Sequence, residues 1–406
     1  MKRLSHLFLG ILFLVACEKE SINTDLPSEV EHSQKTITRS YEEALSIANS
    51  SLSFFPSTRG VVNRTIDEQN SLVIKNDKKT RSSASISDTL FYVFNFTGNN
   101  GFAVVSALNS SEDGLIAVTE EGDFESSIEE NPGFAFIMER AKEYVLRGGI
   151  VPALEPIDTT IIQSRGPKIL VAWGQRYPEG SLYHNGLAGC SNTAIAQILT
   201  YYMYPSTIVY SENGTNENVN LPWSEIKKHK RTLNNTCFDC TADSDAHVAI
   251  SKLVRQIGLW NLSNDTTSIT GTSTVISNQL LSISALGYNY TALDYYSTGI
   301  AASQINNNNK LLLMFGLTND NQGHAWVVDG YKTLRILYLD HRLVEPALIT
   351  VTKTYNHVNW GWNGIANGYF QDGIFDITNE FEYDYSLSFT DSFNFNNTVG
   401  YTAIDH

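Results

Sequence analysis

A single thiol stands where a helix ought to begin. Cys190 lies in the run Gly189-Cys190-Ser191-Asn192-Thr193-Ala194-Ile195-Ala196-Gln197. From Ala194 the apolar residues Ala194, Ile195, Ile198, Leu199 and Tyr202 recur at helical spacing, Pro205 ends the pattern, and Gly186 and Gly189 give a flexible entry. Cys190 is therefore expected in the first turn, where unpaired N–H groups and the positive end of the helix dipole favour a thiolate over a thiol. A neighbouring imidazolium would favour it further, and such a thiolate is a nucleophile for acyl transfer. Burial is the competing account, because free cysteine also packs as a small hydrophobe.

Two later blocks carry groups that could serve such a thiol. In Gly323-His324-Ala325-Trp326-Val327-Val328-Asp329-Gly330, the stretch 325–328 reads as a strand after a strand at 311–317 and a polar loop at 318–323. His324 is thus expected at the mouth of a strand, a place where a structural histidine is also common. Cys before His, on separate elements, is the chain order a thiol protease of papain type requires. The third block is Asn356-His357-Val358-Asn359-Trp360-Gly361-Trp362-Asn363-Gly364. Its glycines let large rings and backbone pack closely, and an asparagine amide could orient an imidazole. His357 competes with His324 as general base, and spacing alone leaves both open.

The elements that must position these groups sit in a chain of 406 residues, long enough for two or three domains, with 42% hydrophobic and 11% aromatic residues to fill their cores. A net charge of −15 argues against nucleic acid as a partner, since the densest basic run, Lys227-Lys228-His229-Lys230-Arg231, is short. Lys2 and Arg3 precede an apolar stretch at 7–16 that is too short to span a bilayer and has the layout of an export signal. It ends in Leu14-Val15-Ala16-Cys17, which resembles a bacterial lipoprotein box with Cys17 as the lipidated residue; an ordinary signal with an incidental cysteine is the alternative. The expected location is an exported lipoprotein at the outer membrane or cell surface. Cys237 and Cys240 can pair locally or remain two thiols, which leaves Cys190 as the odd cysteine. No second CxxC or HxxxH partner supports zinc, so neither metal nor cofactor is expected.

All six tryptophans lie after residue 170, which divides the chain in two. Residues 18–40 are polar and read as a tether. An amphipathic stretch at 41–52, strands at 90–96 and 101–105 joined by Thr97-Gly98-Asn99-Asn100, a short strand at 116–119 and a helix at 132–146 make a small α+β domain. Residues 153–167 read as the linker to the second domain.

These blocks together resemble the streptopain family of bacterial cysteine peptidases, a branch of the papain-like fold. The resemblance extends from about residue 168 to the C-terminus, and Trp173-Gly174-Gln175 falls where that family places its oxyanion-hole glutamine. More weakly, Tyr92-Val93-Phe94-Asn95 and Gly101-Phe102-Ala103-Val104-Val105-Ser106 resemble the family's inhibitory propeptide. The resemblance implies an α+β architecture: a signal at 1–16, a tether at 17–40, an inhibitory propeptide at 41–165, and a papain-like domain with a helical part and an antiparallel sheet part at 166–406. It implies Cys190 as nucleophile, His324 as general base and then acid, and Gln175 as oxyanion donor. Asn359 and Trp360 would hold and shield the His324 imidazole, and His357 would be a structural neighbour. Protein or peptide substrates follow, with a hydrophobic residue favoured upstream of the cleaved bond. So does a zymogen inhibited by its own propeptide, anchored to a membrane until cleavage near 153–168 releases it. A transglutaminase-like acyl transferase and an inactive binding lipoprotein are the rivals from other classes. Two departures stand out: a short segment between Gln175 and Cys190, and an expanded hairpin at 332–355.

Overall fold

The computed structural model describes residues 38–57, 63–75, 89–108, 114–147, 156–233, 236–238, 241–266, 271–317, 323–340, 347–376 and 398–406. Cys17, Cys240 and the signal and tether before residue 38 lie outside the described residues, so the readings made of them stay as expectations.

Short runs of aromatic and β-branched residues broken by Gly and Asn favour strands, and the N-terminal part builds four of them. Helix α1 (Tyr41–Phe54) comes first. It starts on a capping box in which the Ser40 hydroxyl accepts from Glu43 N–H and the Glu43 carboxylate accepts from Ser40 N–H. Strands β1 (Leu72–Lys75), β2 (Thr89–Asn95), β3 (Phe102–Ser106) and β4 (Leu115–Thr119) pair antiparallel in sequence order. The β2–β3 turn has Gly98 and Asn99 at positive φ, as its sequence signal requires. Helices α2 (Phe124–Glu130) and α3 (Pro132–Arg147) follow. The Asn131 side chain caps α3 by accepting from Phe134 N–H at 3.0 Å.

The C-terminal part places its helices α4 (Cys190–Tyr202), α5 (Trp223–Ile226), α6 (Ser244–Trp260), α7 (Gln279–Ala285) and α8 (Ile300–Asn307) around a second set of strands. In chain order these are β5 (Pro156–Arg165), β6 (Thr207–Glu212), β7 (Thr215–Asn220), β8 (Arg231–Leu233), β9 (Thr236–Phe238), β10 (Asn289–Tyr290), β11 (Asp294–Tyr295), β12 (Leu311–Leu317), β13 (Gly323–Asp340), β14 (Ala347–Asn359), β15 (Gly368–Gln371) and β16 (Thr398–Asp405). The expanded hairpin is real: β13 and β14 pair from Tyr331↔Asn356 to Asp340↔Ala347. Along this hairpin β13 also pairs with β5, so the stretch expected as a linker carries a strand laid against the sheet. Its Ile157, Ile161 and Ile162 stay exposed, which is why period-2 burial gave no strand signal there.

The two parts share one sheet, ordered β1-β2-β3-β4-β15-β14-β13-β12-β16-β10. Ala117, Val118 and Thr119 of β4 stand opposite Phe370, Tyr369 and Gly368 of β15. A side chain at Gly368 would strike the Val118 carbonyl, so only glycine permits this approach.

Both faces of the sheet centre are covered, which explains the unbroken apolar run Leu311–Phe315. Leu311, Leu313, Phe315, Ala325 and Val327 face a core with α4 and α6 residues such as Ile195 and Ile250. Leu312, Met314, Trp326 and Val328 face the opposite core with Phe134, Ile137 and Met138 of α3. A third core joins Ala44 and Ala48 of α1 to Leu334, Ile336 and Tyr338 of the long hairpin.

Candidate active site

Helix α4 begins at Cys190, after Gly189 at φ 86°, with no side-chain cap on its first N–H groups. The Cys190 sulfur accepts from Ala325 N–H at 3.3 Å. Burial alone would push this thiol up, but the His324 imidazole, the Ala325 N–H and Ser191 together bring it down to about 7. Two side chains one turn apart on α4 then fix the extended segment leading to Gln175. Gln197 Oε1 accepts from Trp173 N–H at 3.0 Å, and the Thr193 hydroxyl donates to the Gly174 carbonyl at 3.3 Å. Gln175 itself is half-buried, and its carbonyl accepts from Ala188 N–H at 2.8 Å, two residues before the thiol.

His324 opens β13, opposite Gly316 of β12, and shares strand parity with Trp326 and Val328. Its Nε2 lies 3.0 Å from the Trp360 carbonyl. A carbonyl can only accept, so Nε2 carries the proton and Nδ1 is left for the thiol. The ring stacks at 16° on Trp326 and meets Trp362 edge-on at 5.6 Å.

Sequence left open whether the Asn359 amide or the Trp360 ring would hold the imidazole. The Asn359 amide donates to the Val171 carbonyl at 2.9 Å and accepts from Gly361 N–H at 3.2 Å. The Trp360 ring is buried in the core, with its N–H on the Ala366 carbonyl at 2.9 Å. The contact therefore comes from the Trp360 main chain, and the shielding ring is Trp362. The signal for Trp362 was present: Gly361, at φ 69°, turns the chain between two tryptophans so that they serve different sides.

His357 occupies a different environment. Its Nδ1 lies 2.6 Å from Asp329 Oδ1 and its Nε2 3.7 Å from Glu120. Burial pushes His357 down, but Asp329 and Glu120 outweigh it and raise it to about 9. A carboxylate-paired imidazolium has no free lone pair for a thiol, so this residue braces the sheet. Asp329 reaches it because the β13–β14 register shifts between Val328 and Gly330, a bulge that re-aims one side chain.

The N-terminal part closes over this region. Gly133, in the first turn of α3, lies so close to the imidazole that a Cβ there would overlap His324 Cδ2. Phe136 likewise covers Gly316. Glu121 pairs with Arg231, Glu120 N–H donates to the Asn367 carbonyl at 2.8 Å, and Asn131 donates to the Ile365 carbonyl at 3.0 Å. The contacts to Asn367 and Ile365 grip the turn that follows Trp360 and Trp362.

Residues 172–370 match the Peptidase C10 family, and residues 34–145 match the Spi protease inhibitor family. The chain thus carries a domain of the peptidase C10, or streptopain, type behind an N-terminal inhibitor-type domain. Streptopain of Streptococcus pyogenes serotype M28 (strain MGAS6180) is 23% identical over 328 residues, covering 72% of this chain and 76% of that protein. Streptopain of Streptococcus pyogenes serotype M1 matches to the same extent. Among solved structures, a prointerpain A fragment of Prevotella intermedia is 19% identical with a TM-score of 0.50, covering 82% of this chain and 98% of that one. That likeness supports the fold: a C10 peptidase domain preceded by a propeptide-type inhibitor domain. The chain is a cysteine endopeptidase carrying its own inhibitory domain.

The thiol's environment sets a pH profile. Alkylation of Cys190 by iodoacetamide, read by peptide mass spectrometry, should reach half its plateau near pH 7. Replacing His324→Ala should raise that midpoint by at least about one unit; an unmoved midpoint would detach His324 from the thiol.

His357 sets a second profile, in stability. Its folded pKa is raised from 6.5 to about 9, so its contribution is fully present below pH 6.5 and lost as pH rises through about 9. Urea midpoints of the Cys190→Ala chain should therefore fall between about pH 7 and 10, and adding His357→Gln should flatten the fall. Equal declines with and without His357 would exclude the ion pair as the cause.

Proposed function

We propose that the chain hydrolyses peptide bonds through a thioester on Cys190, with His324 moving the protons, and that it is exported as a lipid-anchored zymogen. The supporting observation is the sulfur's position at the start of α4, receiving Ala325 N–H at 3.3 Å with His324 favouring the thiolate. The thiolate attacks the carbonyl carbon and a C–S bond forms, while the oxygen gains charge beside the Gln175 amide and the Cys190 N–H. The C–N bond then breaks, and protonated His324 gives its proton to the leaving amine. Neutral His324 next takes a proton from water, which attacks the thioester; the C–S bond breaks and the thiolate and imidazolium return.

Wild-type protein is expected to process itself and degrade casein, whereas Cys190→Ala should stay full-length and inactive. Gln175→Ala should lower kcat by about 10²–10³ with a smaller change in KM. Casein cleavage by Cys190→Ala at the wild-type rate would end the peptidase mechanism, and a fully active uncut wild-type chain would end activation by processing.

The anchor reading rests on Lys2, Arg3, the apolar stretch at 7–16 and Cys17. A lipidated protein at the outer membrane or cell surface partitions into a detergent phase, and Cys17→Ser should move it to the aqueous phase. Detergent partitioning unaffected by Cys17→Ser would remove the anchor.

A further inference from the structure

We propose that the loop between Gln175 and Cys190 carries a substrate subsite for an acidic side chain, with Arg176 as its cation. This deepens the peptidase reading and rests on it. The loop borders an open cavity of about 420 Å³ lined by Arg176, Tyr177, Gly180, Ser181 and Gly186. Its neck is closed by the bond from Ala188 N–H to the Gln175 carbonyl at 2.8 Å. The cavity therefore begins at the residue next to Gln175, on the loop that leads to Cys190.

The cavity is built rather than incidental. Its floor is main chain: a Cβ at Gly180 would strike the carbonyl oxygens of Gln175 and Gly186, and Gly186 sits at φ 69°. Its wall is braced from behind. The Tyr177 hydroxyl lies 3.3 Å from His247 Nδ1 and the two rings meet edge-on at 5.7 Å. His247 in turn packs on His229 at 5.1 Å, and His229 Nε2 lies 3.3 Å from Glu179 Oε1, both residues fully buried.

Charge decides what the cavity accepts. Arg231 and Arg255 are held by carboxylates of this chain, but the exposed Arg176 side chain makes no hydrogen bond or ion pair among the described residues. The nearest acid in the loop, Glu179, is turned inward onto His229 and does not compete. A guanidinium offers paired N–H donors that match a carboxylate, and the Ser181 hydroxyl can add another. A substrate glutamate or aspartate near the cleaved bond satisfies both.

The test uses processed wild-type enzyme, Arg176→Ala and Arg176→Glu with internally quenched peptides. Each peptide is amidated at its C-terminus, so that side chains supply the only variable carboxylate. Glu, Gln or Lys is placed in turn at each of the three positions on either side of the cleaved bond. At one position wild type should prefer Glu over Gln by about threefold to tenfold in kcat/KM, the size of a partly screened charged hydrogen bond. Arg176→Ala should lose that preference and Arg176→Glu should shift it to Lys, with cleavage of the Gln peptide unchanged within about twofold. Cys190-dependent cleavage with no acid preference, or with one that survives Arg176→Ala, overturns the subsite alone. Absence of Cys190-dependent cleavage of every peptide overturns the peptidase mechanism and the subsite with it.

Discussion

The pairing of β4 with β15 is the constraint on which the rest of this zymogen depends, because a sheet edge carries unpaired N–H and C=O groups that must meet water or another strand. The propeptide supplies that strand, and the register Thr119↔Gly368 then fixes what lies beyond it. Immediately after β4, Glu120 and Glu121 meet His357 and Arg231 across the boundary. A dozen residues later, α3 brings Gly133 onto the His324 ring and Phe136 onto Gly316, its cross-strand neighbour. A one-residue slip in the pairing would turn these side chains to the other face and uncover the imidazole.

The contacts also separate two ways of silencing a thiol peptidase. The thiol could be disarmed by raising its pKa, or the space around the neighbouring imidazole could be filled. With the propeptide in place, Cys190 receives the Ala325 N–H, and the His324 imidazole favours its thiolate. The propeptide's close approach is instead to carbon and nitrogen atoms of the His324 ring. The propeptide thus fills space beside the imidazole while the sulfur keeps its hydrogen bond.

Local signals were legible and pairings between distant segments were not. The helix at Cys190 showed through spacing and glycines, the β2–β3 hairpin through Gly98-Asn99, and β12 through its apolar run, because each depends on neighbours in sequence. The merged sheet left no such trace: the apolar face of 132–146 states that α3 is buried, but not that its partners are Trp326 and Val328 of the other domain. Strand β5 was hidden for the opposite reason, since it holds its place by backbone bonds to β13 while its isoleucines face solvent. At the site, residue types pointed to Cys190 and His324, which the structure brings together. They could not reveal that Trp360 meets His324 through its carbonyl, because main-chain acceptors are the same in every residue.

An interface able to come apart cannot rely on charges left unpaired when it does, since an orphaned buried ion costs several kcal/mol in typical proteins. His357 satisfies this condition: Asp329, at 2.6 Å and from the same domain, is its nearer partner, and Glu120 is the more distant at 3.7 Å. Loss of Glu120 therefore leaves a paired imidazolium. Arg231 and Glu121, both partly exposed, can exchange their bond for water. The apolar contacts have no such substitute. Phe134, Ile137 and Met138 of α3 share one core with Trp326 and Val328, and Ala44 and Ala48 of α1 share another with Leu334 and Ile336. Polar pairs at this boundary thus set register, and the shared cores supply the affinity that holds the propeptide on the peptidase domain.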